Sequence, residues 1–551
     1  MVFKSPFASV PVSTETFHEK LLRAIWHHGT AHPTKPALVA ADDATKYVTF
    51  HEMYTQVHSV RAFLRVRGFK SGDVACLVLS NCIEWPIFQL GAQAAGGAIS
   101  GASALFTDFE LERQFLDSRC SVVFTDEPHL KKVMHAAANC DKVKTIICLR
   151  NGTSHSAHLP GHIIEWSEVV SFRPEYDVAK VNVESMAVLP YSSGTTGSPK
   201  GVMLSHRNFG TMIEIVKDHF DRELVPHMGS NNHNWYNESF LLNLPFYHIF
   251  GFGMMSTALL IGVTGVVIDK FEPKLFLSVI EKYRPRLLFT VPPILIFLAK
   301  HPMVADFDVS SIEFVLSGAA PAGKDICEEF LSRHKTIRYL TQGYGMTECG
   351  MASHLPDLNV KDVHIGVGKV AANFEQKIID VGTGKEVANG ERGELCVRCA
   401  TVMMGYLNRP EATAETVDKE GWLHTGDIAY MEDDGRTFIV DRLKELIKVK
   451  GLQVPPAELE DLLLSHPLVR DAAVIGLPDK RRGELVRAYV VRANETLSED
   501  DVIKFVAHKV SEYKHITGGV KFVTEVPKSA AGKILRRQLR EEAAKENKSK
   551  L

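Results

Sequence analysis

Apolar runs typical of buried strands alternate, up to about residue 440, with stretches whose apolar residues recur at helical spacing. Residues 73–79 (DVACLVL) and 286–291 (RLLFTV) are runs of the first kind. Asn81 and Glu84 predict a capping box that begins a helix over residues 82–95. A second helix is predicted to begin at Pro273, with an apolar face formed by Phe276, Val279, Ile280 and Tyr283. This alternation predicts an α/β fold of βα units with parallel or mixed sheets.

The pattern changes after residues 441–446, where a smaller unit is predicted to begin. Its elements are a helix over residues 456–464, strands over 472–476 and 485–491, and a helix capped by Ser498 and Asp501 that runs through Val510. The chain is therefore predicted to form a large N-terminal body of mixed α/β sheets (residues 1–443) and a smaller C-terminal α+β domain (residues 444–551).

The composition limits what such a fold can do. Lys and Arg number 63 and Asp and Glu number 66, so no net basic field favours nucleic acid or anionic lipid. The nine cysteines are an odd and thinly spread set, which predicts reduced, mostly buried thiols in an intracellular protein. The N-terminal segment carries Glu15 and Glu19 and has no continuous apolar stretch, so no signal or transit peptide is expected.

Residues 249–267 are free of charged side chains and are long enough to cross a bilayer. Gly251, Gly253, Gly262 and Gly265 divide this stretch into shorter pieces. Residues 265–269 (GVVID) have the character of a buried strand. A buried core segment is therefore favoured, and no transmembrane span is expected.

Three local patterns resemble familiar sites but lack their chemistry. Residues 318–324 (GAAPAGK) approach a P-loop, but Asp325 stands where a Ser or Thr would hold Mg²⁺. Residues 366–371 (GVGKVA) resemble a dinucleotide fingerprint without the flanking strand and helix. Cys396 and Cys399 lie three apart in a strand-like stretch, which places them on opposite faces. A structural pair of thiols is therefore favoured over a metal site.

Residues 191–201 (YSSGTTGSPKG) are the strongest local signal in the sequence. They follow a strand candidate at residues 186–189 and precede an apolar strand that begins at Val202. Glycines let backbone amides approach an anion closely, hydroxyl groups add donors, and Lys200 supplies a positive charge. The loop is therefore predicted to hold phosphate, although Pro199 excludes the helix start of a Walker A loop.

Five separated motifs form a pattern that covers essentially the whole chain. They are residues 191–201, 343–348 (GYGMTE), 405–410 (GYLNRP), 421–427 (GWLHTGD) and 527–537 (PKSAAGKILRR), with residues 441–444 (DRLK) and 447–451 (IKVKG) between the last two. In these motifs and their order, the sequence resembles the adenylate-forming superfamily of acyl-CoA synthetases, 4-coumarate–CoA ligases and beetle luciferases. The resemblance implies the adenylate-forming enzyme fold, in which a smaller C-terminal domain moves relative to a large α/β body.

The resemblance implies a two-step reaction that consumes ATP. A carboxylate first attacks the α-phosphorus, which gives an acyl-AMP and pyrophosphate. The thiol of coenzyme A then displaces AMP and gives the thioester. The acid is expected to be a fatty acid of medium or long chain. The alternatives are an aryl-propenoic acid, as for a 4-coumarate-type ligase, and a luciferase-like oxygenase that oxidises its acyl-adenylate.

The resemblance also assigns a nucleotide site to the large body. The β- and γ-phosphates are expected to be held by Ser192, Ser193, Gly194, Thr195, Thr196, Gly197 and Lys200. Thr347 and Glu348 are expected to contact the α-phosphate and Mg²⁺, a hard cation that prefers oxygen ligands. Asp427 is expected to accept hydrogen bonds from the ribose, with support from Arg442. The adenine and the acyl pocket would be walled by Gly343, Tyr344 and Gly345.

The C-terminal domain is expected to supply the mobile groups. Lys533 resembles the lysine that bridges the substrate carboxylate and the α-phosphate, where it would stabilise the charge of the transition state. Lys444 matches the hinge about which the domain swings between the two half-reactions. In the second step, the groups on the coenzyme A side would be Lys448, Lys450, Gly451 and Gln453.

His248, within residues 244–250 (LPFYHIF), matches a histidine that lies near the acyl carboxylate in the family. The acyl pocket is expected to be lined by Phe250, Gly318, Ala319, Ala320 and Met346, whose small members leave room for a bulky or long acid. Tyr247 replaces the first of two histidines found in luciferases, and Met212 stands where beetle luciferases carry an arginine. Both departures disfavour light emission.

The final residues, Ser549, Lys550 and Leu551, form a tripeptide that is read as a peroxisomal address. A peroxisomal location is therefore expected, with an import receptor as protein partner and a carboxylic acid as small-molecule partner. No nucleic acid partner is expected, and the sequence does not indicate an oligomeric state.

Overall fold

The computed structural model describes residues 2–150, 159–177, 180–192, 199–229, 233–360, 364–449, 452–479, 481–529 and 532–549. The strands in chain order are β1 (Phe3–Lys4), β2 (Pro36–Ala40), β3 (Tyr47–Thr49), β4 (Val74–Val78), β5 (Ala98–Ala102), β6 (Val122–Asp126), β7 (Thr145–Leu149), β8 (Ile163–Glu165), β9 (Met186–Val188), β10 (Tyr191–Ser192), β11 (Lys200–Ser205), β12 (Ser239–Leu242), β13 (Thr264–Val267), β14 (Leu287–Thr290), β15 (Phe314–Ser317), β16 (Tyr339–Gln342), β17 (His354–Leu355), β18 (Lys369–Val370), β19 (Glu375–Ile379), β20 (Gly393–Arg398), β21 (Gly405–Tyr406), β22 (Leu423–Met431), β23 (Thr437–Arg442), β24 (Ile447–Val449), β25 (Leu452–Val454), β26 (Val469–Asp479), β27 (Gly483–Arg492) and β28 (Val520–Phe522).

The helices in chain order are α1 (Phe17–Ala31), α2 (Phe50–Val66), α3 (Glu84–Ala94), α4 (Asp108–Ser118), α5 (Glu127–Ala137), α6 (Trp166–Val170), α7 (His206–His219), α8 (Ile249–Ile261), α9 (Pro273–Tyr283), α10 (Pro292–Lys300), α11 (Lys324–Arg333), α12 (Pro410–Thr416), α13 (Pro456–Leu464), α14 (Glu499–Ala507) and α15 (Arg536–Ser549). The predicted α/β class is confirmed. The predicted helix that begins at Pro273 is also confirmed, as α9.

The largest sheet has the order β10-β11-β9-β5-β4-β6-β7-β8, with β21 paired to β11. Strands β4 to β8 run parallel, whereas β11 runs antiparallel to both β9 and β10. Alternate residues of β4 pack into two different cores: Ala75 and Leu77 into one, and Val74, Cys76 and Val78 into the other. Burial on both faces explains why this strand is continuously apolar in the sequence.

The predicted capping box at Asn81 is wrong, because α3 begins at Glu84 without a side-chain cap. The Asn81 amide nitrogen donates instead to the carbonyl oxygens of Leu244, at 2.9 Å, and Ile268, at 3.2 Å. Its amide oxygen accepts from the backbone N–H of Phe246 at 2.8 Å. Asn81 therefore tethers the segment that leads to His248, which lies far away in the sequence.

The charge-free stretch 249–267 divides into a helix and a strand. Helix α8 ends at Ile261, where Gly262 adopts a left-handed φ of 82°, and β13 then lies in a four-stranded sheet. Nearly all residues of α8 are buried within the large body. Within the described part of the chain, no helix has both the length and the apolar character needed to cross a membrane.

A separate sheet forms the core of the C-terminal body, by which we mean residues 447–549. It has the order β25-β24-β27-β26, with β28 paired to β27. Helix α13 has the bounds that the sequence predicts, and α14 is capped by Ser498 as predicted but ends at Ala507 rather than Val510. Strand β23 ends at Arg442 in a sheet of the large body, and β24 starts at Ile447 in the new sheet. The exact division between residues 443 and 444 stays a prediction.

The C-terminal body is docked against the large body through close contacts. The Asp461 carboxylate of α13 lies so near Gly323 that a Cβ there would come within 1.2 Å of Oδ1. Lys300 Nζ of α10 donates to the carbonyl oxygen of Leu464 at 3.0 Å. Gly532, with a φ of 77°, lies against Pro293, and a Cβ at Gly532 would be 3.0 Å from the Pro293 ring. These contacts bring the loop that carries Lys533 over the large body.

Candidate active site

The fixed wall of the site is built around Glu348, which lies in a short turn, Thr347–Cys349, after β16. Its carboxylate is 5% exposed, and Oε1 accepts hydrogen bonds from Ser192 Oγ at 3.0 Å and Tyr406 OH at 2.9 Å. Lys200 Nζ lies 4.8 Å from the centre of the Tyr406 ring. One buried acid is therefore held by two neutral donors beside a lysine.

Ser192 and Lys200 also mark the two ends of the predicted phosphate loop. They are direct partners in the antiparallel pair β10–β11, so the loop leaves and re-enters the sheet at one point. Ser193, Gly194, Thr195, Thr196 and Gly197 lie outside the described residues. Their expected contacts with phosphate stay predictions, whereas the position of the two flanking residues is set by the sheet.

A second acid, Asp427, lies in β22 directly opposite Arg442 of β23. Its Oδ2 accepts a hydrogen bond from the Tyr344 hydroxyl, and its Oδ1 lies 3.6 Å from Arg442 Nε. Burial raises the pKa of the Asp427 carboxyl, while Arg442 and Tyr344 oppose that rise. Gly345 must be glycine, because a Cβ there would lie 1.9 Å from the Met351 carbonyl oxygen.

Lys533 reaches this wall from the C-terminal body. Burial and the nearby Arg442 lower the pKa of its ammonium group, whereas Asp427, Glu348 and Glu445 oppose that shift. The loop is held locally by the Lys533 N–H, which donates to Ser529 Oγ at 3.2 Å, and by the Ser529 N–H, which donates to the Lys533 carbonyl at 2.8 Å. The structure thus places a lysine from one body within the electrostatic reach of two acids from the other.

His248 caps helix α8, where its Nδ1 accepts from the backbone N–H of Phe250 at 3.4 Å. Burial, with a further contribution from Lys533, lowers the pKa of His248 to about 3. The imidazole is therefore neutral at physiological pH and faces a cation. Because Nδ1 accepts, the proton of the neutral ring lies on Nε2, which can donate one hydrogen bond to an acyl carboxylate without adding charge.

The predicted acyl-pocket residues come from two neighbouring segments and one turn. Phe250 packs directly over Gly318, where a Cβ would approach the ring to 3.0 Å. Ala319 follows with a left-handed φ of 68°, and both Ala319 and Ala320 are half-buried. Met346 is also half-buried, and its N–H lies 3.3 Å from Cys349 Sγ. The Phe250 ring therefore occupies the space that a side chain at position 318 would take.

The groups predicted for the second step are not part of this arrangement. Lys444 and Lys448 are exposed, and the Lys448 N–H donates to Glu484 Oε2 at 2.6 Å. Lys450 and Gly451 lie outside the described residues, and Gln453 is described only as part of β25. Among the described residues, no contact joins Lys448 to Glu348, Asp427 or Lys533. Its predicted role would require a different placement of the C-terminal body.

Sequence reasoning missed a charged network at the junction of the two bodies. Arg536 of α15 binds Glu445 at 2.7 Å and Glu460 at 2.6 Å. The Asp441 carboxylate, just before the junction, accepts from the Ala457 N–H at 2.9 Å. Burial raises the pKa of Asp441 to about 6 and that of Glu460 to about 7, and Arg536 opposes both shifts. The network ties the last helix to the segment that follows β23.

Cys396 faces His424 rather than Cys399. His424 Nδ1 lies 3.6 Å from Cys396 Sγ and 3.2 Å from Glu394 Oε2, and the three ligand-type atoms lie within 4.8 Å of one another. Hydrogen bonds to Cys396 and Glu394 raise the pKa of His424 to about 10. Glu394 Oε1 accepts from the Gly426 N–H at 3.1 Å, so the network holds the strand that leads to Asp427.

Taken together, these groups define an enzyme that transfers an adenylyl group. A loop suited to phosphate, an acid held beside its flanks, a second acid suited to ribose hydroxyls and a lysine from another body meet at one place. A lysine in this position can stabilise negative charge that develops between a carboxylate and a phosphate.

Comparison with known proteins supports this class. Residues 25–407 match the model of the AMP-binding enzyme family, and residues 458–533 match that of the AMP-binding enzyme C-terminal domain. A 4-coumarate–CoA ligase 2 from Nicotiana tabacum is 38% identical over 93% of this chain and 92% of its own length. A probable CoA ligase from Humulus lupulus is 39% identical over 92% and 90%. The structure of the anthranilate CoA ligase AuaEII in complex with anthranoyl-AMP has a TM-score of 0.84 at 23% identity and covers 97% of this chain and 98% of its own.

The chain belongs to the AMP-binding enzyme family, within the adenylate-forming superfamily. It is an ATP-dependent, AMP-forming acid–CoA ligase. The resemblance seen in the five motifs is therefore confirmed at the level of family, fold and reaction class.

Proposed function

We propose that the acid activated by this ligase is an aryl acid of the 4-coumarate type, and that a fatty acid is the less favoured alternative. The relatives named above include a 4-coumarate–CoA ligase that matches nearly the whole chain. The ring of Phe250, a half-buried member of the predicted acyl pocket, supports the same choice, because an aromatic substrate can pack against it in offset or edge-to-face geometry.

The observation that carries this proposal is the 38% identity to a 4-coumarate–CoA ligase over 93% of this chain. A substrate ring in the predicted acyl pocket would lie against Phe250, with its carboxylate directed to the side of His248 and Lys533. Lys533 would bridge that carboxylate and the α-phosphate of ATP, and the neutral His248 would orient the carboxylate without competing for its charge. After pyrophosphate leaves, the thiol of coenzyme A would attack the acyl carbon and release AMP.

Thr347 and Glu348 would hold Mg²⁺ in this proposal. Among the described residues, both hydrogen bonds to the Glu348 carboxylate fall on Oε1, which leaves Oε2 available to a cation. A hydroxyl and a carboxylate oxygen suit a hard cation that retains several water ligands. The ion would neutralise phosphate charge as the bond to pyrophosphate breaks.

The test is a pyrophosphate-release assay with matched acids, with and without coenzyme A. The proposal predicts that aryl-propenoic and benzoic acids give a kcat/KM at least tenfold above that of hexanoic and dodecanoic acids. Gly318→Ala should raise the KM for aryl acids by about tenfold, as expected for an overpacked pocket, and leave the KM for ATP unchanged. Gly161→Ala is the control, because a Cβ there meets nothing within 4 Å. A preference for fatty acids in the same panel would contradict the proposal.

The luciferase-like alternative makes a separate prediction in the same assay. An oxygenase would consume O₂ with its acid and ATP and would not require coenzyme A. The relatives and the structure above are named as CoA ligases, which favours the ligase reaction. Oxygen consumption that matches acid consumption would reverse this preference.

A peroxisomal location remains a prediction of the sequence. It rests on Ser549, Lys550 and Leu551, of which the last two lie outside the described residues. A fluorescent fusion that preserves this C-terminus should co-localise with peroxisomes, whereas a fusion that ends in Lys550 should remain diffuse. Equal distribution of the two fusions would contradict the prediction.

A further inference from the structure

The motif at residues 405–410 has no assigned role in the reaction, yet its tyrosine lies inside the site. Tyr406 is 7% exposed, its hydroxyl donates to Glu348 Oε1, and its ring lies beneath Lys200 Nζ. We propose that Tyr406 is the positioning residue that fixes the Glu348 carboxylate and the Lys200 ammonium relative to each other before the nucleotide binds.

The backbone around Tyr406 is built for this purpose. β21 pairs with β11 so that Tyr406 is directly opposite Val202, two residues after Lys200. The Met403 N–H donates to the Glu348 carbonyl at 2.9 Å, which ties the same segment to the turn that carries the acid. The Tyr406 N–H donates to Thr413 Oγ1 at 2.9 Å. Gly405 adopts a φ of 141°, and a Cβ there would lie 2.8 Å from Thr413 Cγ2. The ring therefore has little freedom to move.

The remainder of the motif braces the start of the phosphate loop. Asp117 accepts a hydrogen bond from the Tyr191 hydroxyl at 2.9 Å through Oδ2. Its Oδ1 lies 3.4 Å from Arg409 Nη2. Asp117 thus links the residue before Ser192 to the motif that carries Tyr406. Both ends of the loop, at Ser192 and Lys200, are consequently held against this one motif.

Glu348 and Lys200 need to be held apart because they have opposite charges and different proposed roles, in binding magnesium and phosphate. Without a neutral spacer, the ammonium could pair with the carboxylate and occupy the place of the cation. The Tyr406 hydroxyl donates a hydrogen bond to the Glu348 carboxylate, and the π face of its ring attracts the Lys200 ammonium without neutralising it. Burial and the adjacent Glu348 raise the pKa of Tyr406, so the phenol stays protonated and remains a donor.

The inference rests on the proposed roles of Glu348 and Lys200 in binding magnesium and phosphate. The test compares wild type with Tyr406→Phe, which removes the hydroxyl and keeps the ring, and Tyr406→Leu, which removes both. Tyr430→Phe is the matched control, because Tyr430 stacks on Phe438 in the β22–β23 pair and has no place in the site. The primary measurement is equilibrium binding of ATP by calorimetry across a magnesium titration.

Tyr406→Phe should raise the magnesium concentration for half-maximal ATP binding by about tenfold, as expected for the loss of one hydrogen bond to a charged group. Tyr406→Leu should in addition weaken ATP binding in EDTA by about threefold, because Lys200 loses its aromatic support. Ser192→Ala removes the other donor to the same oxygen and should shift the magnesium titration in the same direction. Thioester formation from supplied acyl-AMP and coenzyme A should change by less than about twofold in the Tyr406 variants.

Two results would overturn the inference. In the first, Tyr406→Phe binds ATP with the magnesium dependence of wild type. In the second, both half-reactions and the melting temperature fall together, which is the result of a purely structural role. If Tyr406→Phe is poorly folded, the comparison of Ser192→Ala with wild type decides instead, and an unchanged titration overturns the shared-oxygen argument. Failure of wild type itself to show magnesium-dependent ATP binding would refute the proposed magnesium role, and the inference with it.

Discussion

Glu348 and Lys533 lie on the two sides of the nucleotide site and are held in different ways. Glu348 is fixed by two hydrogen bonds to its carboxylate and by a backbone hydrogen bond from Met403, which lies just before β21. Lys533 lies on a short loop after Gly532, which approaches the large body at Pro293. One side is part of a continuous core, and the other depends on how the C-terminal body is docked.

This difference has a consequence for the order of chemical steps. A group that depends on docking can act in one step and withdraw before the next, whereas a fixed group keeps its place in both. The docked arrangement is the one that the proposed role of Lys533 in forming the acyl-AMP requires. The role of Lys448 in the second step stays a prediction.

The largest effect is expected from Lys533→Ala. Removal of the ammonium should slow formation of acyl-AMP by about 10²- to 10³-fold, because the charge that develops at the α-phosphate loses its partner. Formation of the thioester from supplied acyl-AMP and coenzyme A should stay near the wild-type rate. Single-turnover measurements of the two halves give both numbers. Equal damage to both would show that Lys533 does not act through docking.

Lys448→Ala should slow the second half-reaction rather than the first, and the rate loss should be smaller than that of Lys533→Ala. Its side chain is exposed in the docked arrangement, so formation of acyl-AMP should be unchanged. The thioester step should slow by about tenfold if the ammonium meets the site after the C-terminal body moves. The same two assays apply. A rate loss confined to formation of acyl-AMP would contradict the predicted role of Lys448 in the thioester step.

Gly323→Ala should weaken docking directly. Gly323 has a φ of −66°, which alanine adopts freely, so the only penalty is the Cβ that would lie 1.2 Å from Asp461 Oδ1. Overpacking of this kind should slow formation of acyl-AMP by about tenfold and spare the thioester step. Asp461→Ala in the same chain should restore most of the rate. Absence of rescue would mean that the contact does not control docking.

The smallest expected effect is a pH dependence of docking. Burial and the neighbouring Asp325 raise the pKa of Asp461 to about 6 in the docked arrangement. The docked state then binds more protons than a state in which Asp461 is free, so docking weakens as pH rises from about 4 to 6 and is constant above that range.

The variant Asp461→Asn separates the effect of Asp461 protonation on docking from the effects of other titrating groups. Its acyl-AMP step should exceed that of wild type by a few-fold at pH 7, and the two rates should converge as pH falls towards 4. The measurement is the ratio of the two rates across pH 4–8. His248 should not contribute, because its pKa of about 3 keeps it neutral throughout. A ratio that is constant with pH would contradict the prediction.

Local signals predicted much of the fold. Pro273 and the apolar spacing after it predicted α9, and the bounds of α13 follow from its own residues. The capping box predicted at Asn81 is wrong because the Asn81 side chain hydrogen-bonds to residues more than 160 positions away. No local sequence pattern indicates such partners. The parallel sheet was recognisable because burial on both faces leaves a continuous apolar run.

The site shows the same limit. The five motifs predicted candidate site residues, since each motif is contiguous in sequence. The contact of Tyr406 with Glu348 spans 58 residues, and that of Arg536 with Glu445 spans 91, so neither could be seen without the fold. Sequence reasoning therefore proposed residues for the site but not the hydrogen bonds and ion pairs that hold two of these segments in place.

The central claim is that this site converts a carboxylic acid into an acyl-adenylate. The direct measurement is mass spectrometry of the products that purified protein forms from Mg²⁺-ATP and 4-coumaric acid without coenzyme A. The account predicts one bound 4-coumaroyl-AMP and one pyrophosphate for each active site, and release of AMP once coenzyme A is added. Pyrophosphate without an adenylate, or no adenylate from any acid in a broad panel, would contradict it.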